Sequence, residues 1–261
     1  MISELSDMMS YTFIVRAMIV GGLVALCSAL LGVSLVLKRY SMIGDGLSHV
    51  AFAALTIAVA MNVAPLYIST PIVTVAAIIL LRLSENSKIK GDSAIALIST
   101  VSIAIGVVVT ALTKGMNTDV YSYMFGSILA MSESDVYMSI ALSVVVIILF
   151  VFFYNKIFAV TFDESFAKAT GTKADAYNMI IAVLTAITIV VGMRIMGTML
   201  ISSLIIFPAL ISMRNFKTFK SVIICSAIVS VVCFFLGIVL SYLYSIPTGA
   251  SIVLVNTVAL I

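Results

Sequence analysis

The chain has 261 residues, of which 63% are apolar or aromatic and only 10% are Asp, Glu, Lys or Arg. A soluble domain is about half apolar and a quarter charged, so that class is excluded, as are disordered, collagen-like and coiled-coil chains. The net charge of +3 is too weak a field for nucleic-acid binding, and a mean hydropathy of +1.29 places the chain in a bilayer.

A crossing helix needs about 20 largely apolar residues, because hydrocarbon offers no partner to an open backbone. Such runs fall at 11–37, 45–63, 66–82, 93–113, 134–155, 176–193, 196–213 and 219–243, with a shorter one at 249–261. An all-α membrane protein of eight or nine crossings is predicted. The segment 119–132, interrupted by Gly126, reads as a partial or re-entrant helix. No signal peptide is expected, since the first charges are Glu4 and Asp7 where Lys or Arg would stand.

With the N-terminus outside, eleven of the 14 basic residues fall in inner loops: Lys38, Arg39, Arg82, Lys88, Lys90, Lys156, Lys168, Lys173, Arg214, Lys217 and Lys220. Only Arg16, Lys114 and Arg194 remain outside, a bias that sets the orientation. No loop is long enough for a soluble domain, and there is no Gly-x-x-x-x-Gly-Lys-Ser/Thr phosphate loop. Any ATP-driven work therefore needs a separate ATPase.

Along the first helix, Gly21, Ala25 and Ala29 recur every fourth residue, a stripe that lets helices approach closely. At the next helix start, SMIGDGLSHVAF holds the single histidine, His49, four residues after Asp45. Residues at i and i+4 share a helix face, so a carboxylate and an imidazole lie side by side. Ionisable groups within a membrane are costly and usually mark an ion or substrate path. One oxygen and one nitrogen suit zinc or manganese, and the imidazole ligates only when neutral. Two ligands are too few for a tetrahedral site, whereas a symmetric homodimer would supply four. The alternative is an Asp45 that caps the helix and a His49 that bonds a neighbouring carbonyl.

Other polar or soft residues admit plainer readings. Cys27, Cys225 and Cys233 lie in apolar runs and read as packing residues, like the scattered methionines. The outer acids Glu4, Asp7, Asp119, Glu133 and Asp135 are solvated loop charges or a cation-enriching entrance.

The inner loop 156–177 contains TFDESFAKATGTKA. Thr161 with Glu164 reads as a capping box and Gly171 as a stop, which predicts a helix of about ten residues. Phe162 and Phe166 take one side, with Asp163, Glu164 and Lys168 on the rest. Such a helix suits the groove of a soluble partner or the lipid headgroups. Further on, Gly192, Gly197 and Pro208 punctuate residues 190–213. Pro208 is expected to bend or break its helix near residue 204, with Ser202 and Ser203 satisfying freed carbonyls. Arg194 is expected at a tight outer turn.

Four stretches together resemble the permease subunits of bacterial ABC transporters that import zinc and manganese. They are LLGVSLVLKRYSMIGDGLSHVAF (30–52), YSYMFGSIL (121–129), AVTFDESFAKATG (159–171) leading into VVGMRIMGTMLISSLIIFPAL (190–210), and GIVLSYLYSIPTGASIVLV (237–255). The resemblance implies one transmembrane permease domain over 1–261, of the type II importer kind, in the bacterial cytoplasmic membrane. It implies a homodimer, two cytoplasmic ATPase subunits, an extracytoplasmic metal-binding protein, and a divalent ion that is cargo rather than a resident cofactor. By position it places Asp45 and His49 on the metal path. It makes about 161–172 the coupling helix, with Phe162, Asp163, Glu164, Phe166, Ala167 and Gly171 facing the ATPase. Arg194 departs from an apolar position of the family, and the last helix is shorter than usual. The rival readings are a permease for a chelated metal or a vitamin, a passive channel, and an intramembrane metal enzyme.

Overall fold

The computed structural model describes residues 10–86, 91–113 and 133–261. The expected re-entrant segment 119–132 therefore lies outside the described residues, as do Lys88, Lys90, Lys114 and the acids Glu4, Asp7 and Asp119. In chain order the helices are α1 (Thr12–Leu37), α2 (Ile43–Ala60), α3 (Pro65–Asn86), α4 (Gly91–Leu112), α5 (Glu133–Phe152), α6 (Tyr154–Phe162), α7 (Glu164–Ala169), α8 (Ala174–Asn215), α9 (Phe219–Tyr244) and α10 (Thr248–Leu260).

Every element among the described residues is helical, and eight stretches are long and apolar enough to cross a membrane. α8 accounts for two of them, Ala174–Met193 and Met196–Asn215. The ninth run, α10, has only 13 residues. At about 1.5 Å per residue it reaches roughly 20 Å, short of the hydrocarbon thickness. Its end is fixed by Arg214, which donates to the Leu260 carbonyl at 3.1 Å.

Two ion pairs sort the helix ends. Arg16 at the start of α1 pairs with Glu133 at the start of α5, so Glu133 is more than a solvated loop charge. At the opposite end Lys38, just after α1, meets Glu164 of α7 and Asn178 of α8. This second end, which also carries α6, is called the basic end below.

α1 is the central strut and packs on α8 and α9. Its stripe of small residues works as expected: Gly21, Ala25 and Ala29 are buried, and α9 lies on them. The Ser230 hydroxyl donates to the Ala25 carbonyl at 2.8 Å, and Ser226 donates to the Ala29 carbonyl. Cys27 and Cys233 are buried free thiols.

The turn expected between the runs 176–193 and 196–213 falls at Gly197, whereas the separate break expected near residue 204 does not occur. Gly197 has φ 79° and ψ 169° and alone interrupts the helical conformation of α8, while Pro208 lies inside the continuing helix. A residue without Cβ takes such a φ at little cost, whereas proline's fixed φ is already helical and removes only one hydrogen bond. The serines do not serve as expected either. Ser202 donates to the Thr198 carbonyl, and the buried Ser203 hydroxyl has no partner.

The tightest approach to backbone is between α1 and the second half of α8, where a Cβ on Gly32 would lie 2.2 Å from the Ile205 carbonyl oxygen. Backbone cannot yield as a side chain can, so Gly32→Ala should cost about 1–3 kcal/mol. At Gly22 the nearest atom is 3.4 Å away, at the tip of Phe235, so Gly22→Ala should be neutral or better. Thermal melts of the two variants in detergent check this; equal melting temperatures would refute the contact.

Candidate metal site and coupling segment

α1 closes in a Schellman turn. Arg39 takes φ 62°, its N–H donates to the Val36 carbonyl at 3.1 Å, and the Tyr40 N–H donates to the Leu35 carbonyl at 2.8 Å. That pattern satisfies the last carbonyls of a helix, and here an arginine holds the left-handed position usually given to glycine. The chain turns at once into α2, with the Ile43 N–H on the Tyr40 carbonyl at 3.0 Å.

The first turn of α2 is recessed. A Cβ on Gly44 would meet Ile205 Cδ1 at 2.9 Å and the Ser202 backbone at 3.7 Å, and Ile205 stands halfway along Met196–Asn215. Asp45 and His49 follow directly, with Asp45 Oδ2 3.7 Å from His49 Nε2. Their side chains are 43% and 25% exposed, on the side of α2 that the bundle leaves uncovered. The capping alternative does not hold. The N-cap is Met42 and no side chain caps the helix; among the described residues His49's polar contact is Asp45 itself. No group of three or more His, Cys, Asp or Glu gathers anywhere among the described residues. A single chain thus offers one oxygen and one nitrogen, facing outward.

The segment 161–172, expected to be a coupling helix, differs from its expected form. The capping box of Thr161 with Glu164 is absent. Thr161 is buried in α6 with an unpartnered hydroxyl, and Asp163, extended at φ −147°, is the cap. Its carboxylate accepts the Phe166 N–H at 2.8 Å. The helix of about ten residues is instead the six-residue α7, so Phe162 ends α6 and Phe166 belongs to α7. Both rings are exposed, and Phe162 stacks edge-on with Phe219 of α9. Ala167 faces inward, buried against Val160 and Ala174. Gly171 ends the segment as expected, with φ 81° and the Thr172 N–H on the Ala167 carbonyl at 2.9 Å.

Glu164 does not turn back to its own helix start; it holds the segment to the bundle. One carboxylate oxygen accepts from Lys38 Nζ at 3.2 Å and from the Asn178 amide at 3.0 Å. The other faces Lys168 Nζ at 3.0 Å, which also reaches Asp175 at 2.8 Å. Partial burial pushes the Glu164 carboxyl up, yet the hydrogen bonds from Asn178, Lys168 and Lys38 outweigh it and hold the group at about 2. The same contacts, with Asp175 first and then Glu164, push the exposed Lys168 ammonium up. Lys38 is only 11% exposed, and its ammonium also donates to the Asn178 side-chain oxygen.

The family model described as the ABC 3 transport family matches residues 10–261. The chain belongs to that family. Among curated relatives of this ABC permease, it is 29% identical to the high-affinity zinc uptake system membrane protein ZnuB of Haemophilus influenzae, covering 91% of each chain. It is 26% identical to the manganese transport system membrane protein MntC of Halalkalibacterium halodurans, over 95% of this chain and 85% of that one. Among solved structures, PsaBC from Streptococcus pneumoniae in complex with Fab superposes with a TM-score of 0.88 at 26% identity, over 100% of this chain and 94% of that one.

Sequence reasoning counted Lys38 only as an inner charge and did not single out Asn178. Lys38 lies 126 residues from Glu164 and 140 from Asn178 along the chain, and Asn178 lies 14 from Glu164, so no pattern within one helix announces them. The depressed Glu164 pKa gives a sign to acid stability. Glu164 contributes stability above its ordinary 4.5 and loses it as pH falls toward about 2. Thermal melts between these limits should fall more steeply for the wild type than for Glu164→Gln; parallel curves would contradict the network.

Proposed function

We propose that this permease carries divalent metal ions, zinc or manganese, across the bacterial cytoplasmic membrane, between two copies of the chain, driven by a separate ATPase. The observation that carries this reading is the Asp45–His49 pair, set against the middle of a neighbouring membrane span and joined by no third His, Cys, Asp or Glu among the described residues. A cation about 2.1 Å from both atoms would hold them about 120° apart, close to a tetrahedral angle. A second copy brings the same two groups and completes four ligands. The relatives named above, a zinc uptake and a manganese transport protein, support the cargo.

In this reading the N-terminus faces outside and the basic end faces the cytoplasm. An extracytoplasmic binding protein delivers the ion to the outer mouth. The carboxylate and imidazole of each chain replace part of its hydration shell, and the pair opens alternately to the two sides. The exposed Phe162 and Phe166 of the coupling segment dock into two cytoplasmic ATPase subunits, whose closure on ATP rocks the membrane helices. Metal hydrolase chemistry is disfavoured, because it needs about three protein ligands and a base beside a metal-bound water.

Replacing Asp45 or His49 by Ala should lower zinc or manganese accumulation in cells by at least about tenfold, the scale of losing a metal-site group. Uptake equal to wild type in either variant would reject the site.

A further inference from the structure

We propose that Lys38 is the positioning residue through which movement of the coupling helix α7 reaches the Asp45–His49 pair. This inference rests on the transport reading above and adds the link between its two separated parts.

Three observations carry it. First, Lys38 is nearly enclosed, and its ammonium is held by groups from two other elements, Glu164 of α7 and Asn178 of α8. Asn178 is itself buried and donates to the same Glu164 oxygen. The three side chains therefore close a ring in which each member touches the other two. An enclosed ammonium gives up its partners only at high cost, so α7 cannot shift relative to α8 without carrying the end of α1 or breaking the ring.

Second, the stretch from Lys38 to the pair has no slack. The Lys38 N–H is bonded to Ser34, Arg39 to Val36, Tyr40 to Leu35, Ile43 to Tyr40 and Gly46 to Met42. A pull on Lys38 is thus delivered to the first turn of α2, where Asp45 stands. Third, that turn is seated by backbone and short side-chain contacts, Gly44 on Ser202 and Ile205, Gly46 on Ile95. A displacement of this turn moves Asp45 and His49 with it, because the turn lies in close-packed contact with the Ile205 and Ile95 side chains and the Ser202 backbone.

Glu164 is therefore two-sided. Its helix presents Phe166 outward while its carboxylate reaches inward to Lys38. No other ion pair among the described residues joins the α7 region to the polypeptide leading into α2.

The test uses the full chain purified with its ATPase, reconstituted in proteoliposomes together with its extracytoplasmic metal-binding protein, and supplied with ATP and either manganese or zinc. The quantity read is metal taken up per ATP hydrolysed. Lys38→Met keeps the length of the side chain and removes its charge; the ratio should fall about tenfold, a typical coupling between sites, while hydrolysis continues. Lys38→Arg, which retains the charge and the reach, should keep the ratio near wild type. If Lys38→Met does not accumulate in the membrane, Asn178→Ala loosens the same ring and should lower the ratio about threefold, within the range of coupling energies.

A ratio unchanged in the charge-removing variant, whether or not the absolute rates drop, overturns the role of Lys38, because a merely structural defect lowers both rates together. A wild-type complex that hydrolyses ATP and moves neither metal overturns the transport reading instead.

Discussion

The structure depends on one close approach of backbones. Gly32 of α1 and Gly44 of α2 both stand against Ile205, midway along the second half of α8. At Gly32 only a residue without Cβ permits this distance to backbone, while Gly44 meets the tip of the Ile205 side chain, which sets the start of α2 against the middle of that span. A helix that starts there carries the residues of its first two turns with it. Two of them are ionisable, which hydrocarbon tolerates only where they find partners or line a path.

The rest of the fold divides between support and attachment. α9 lies on the small-residue stripe of α1 through hydroxyl-to-carbonyl bonds from Ser226 and Ser230. α8 turns at Gly197 so that its two halves both span. At the basic end the polar groups that hydrocarbon would penalise are gathered instead: Lys38, Glu164, Asn178, Lys168 and Asp175 satisfy one another. In the proposed reading this polar knot joins the surface that meets an ATPase to the helix that meets the ion.

The spans were legible because their cause is a bulk property. A run of apolar residues of membrane length needs no knowledge of neighbours, and each expected run lies on a helix whose ends differ by a few residues at most. The Gly21, Ala25 and Ala29 stripe was legible for the same reason, being periodic on a single helix. The details around 161–172 were not. Thr161 with Glu164 fits the capping pattern, but tertiary demand won: α6 continues through Thr161, and Glu164 is recruited by Lys38 and Asn178, residues too distant in sequence to signal it. The turn within α8 was legible to within a few residues as the gap between two apolar runs; the additional break expected at Pro208 is absent, because a proline's φ fits a helix. Asp45 and His49 were visible as a pair by spacing; their depth in the bundle came only from the contacts of Gly44.

The central claim is that two identical chains bring this pair together across a shared axis. The most direct measurement replaces His49 by Cys in a chain whose Cys27, Cys225 and Cys233 are Ser, and treats native membranes with a short bifunctional thiosulfonate cross-linker, since two residues sharing an ion lie too far apart for a direct disulfide. The account predicts a covalent dimer that a reductant reverses. A thiol that reacts with maleimide yet leaves every chain monomeric would contradict it.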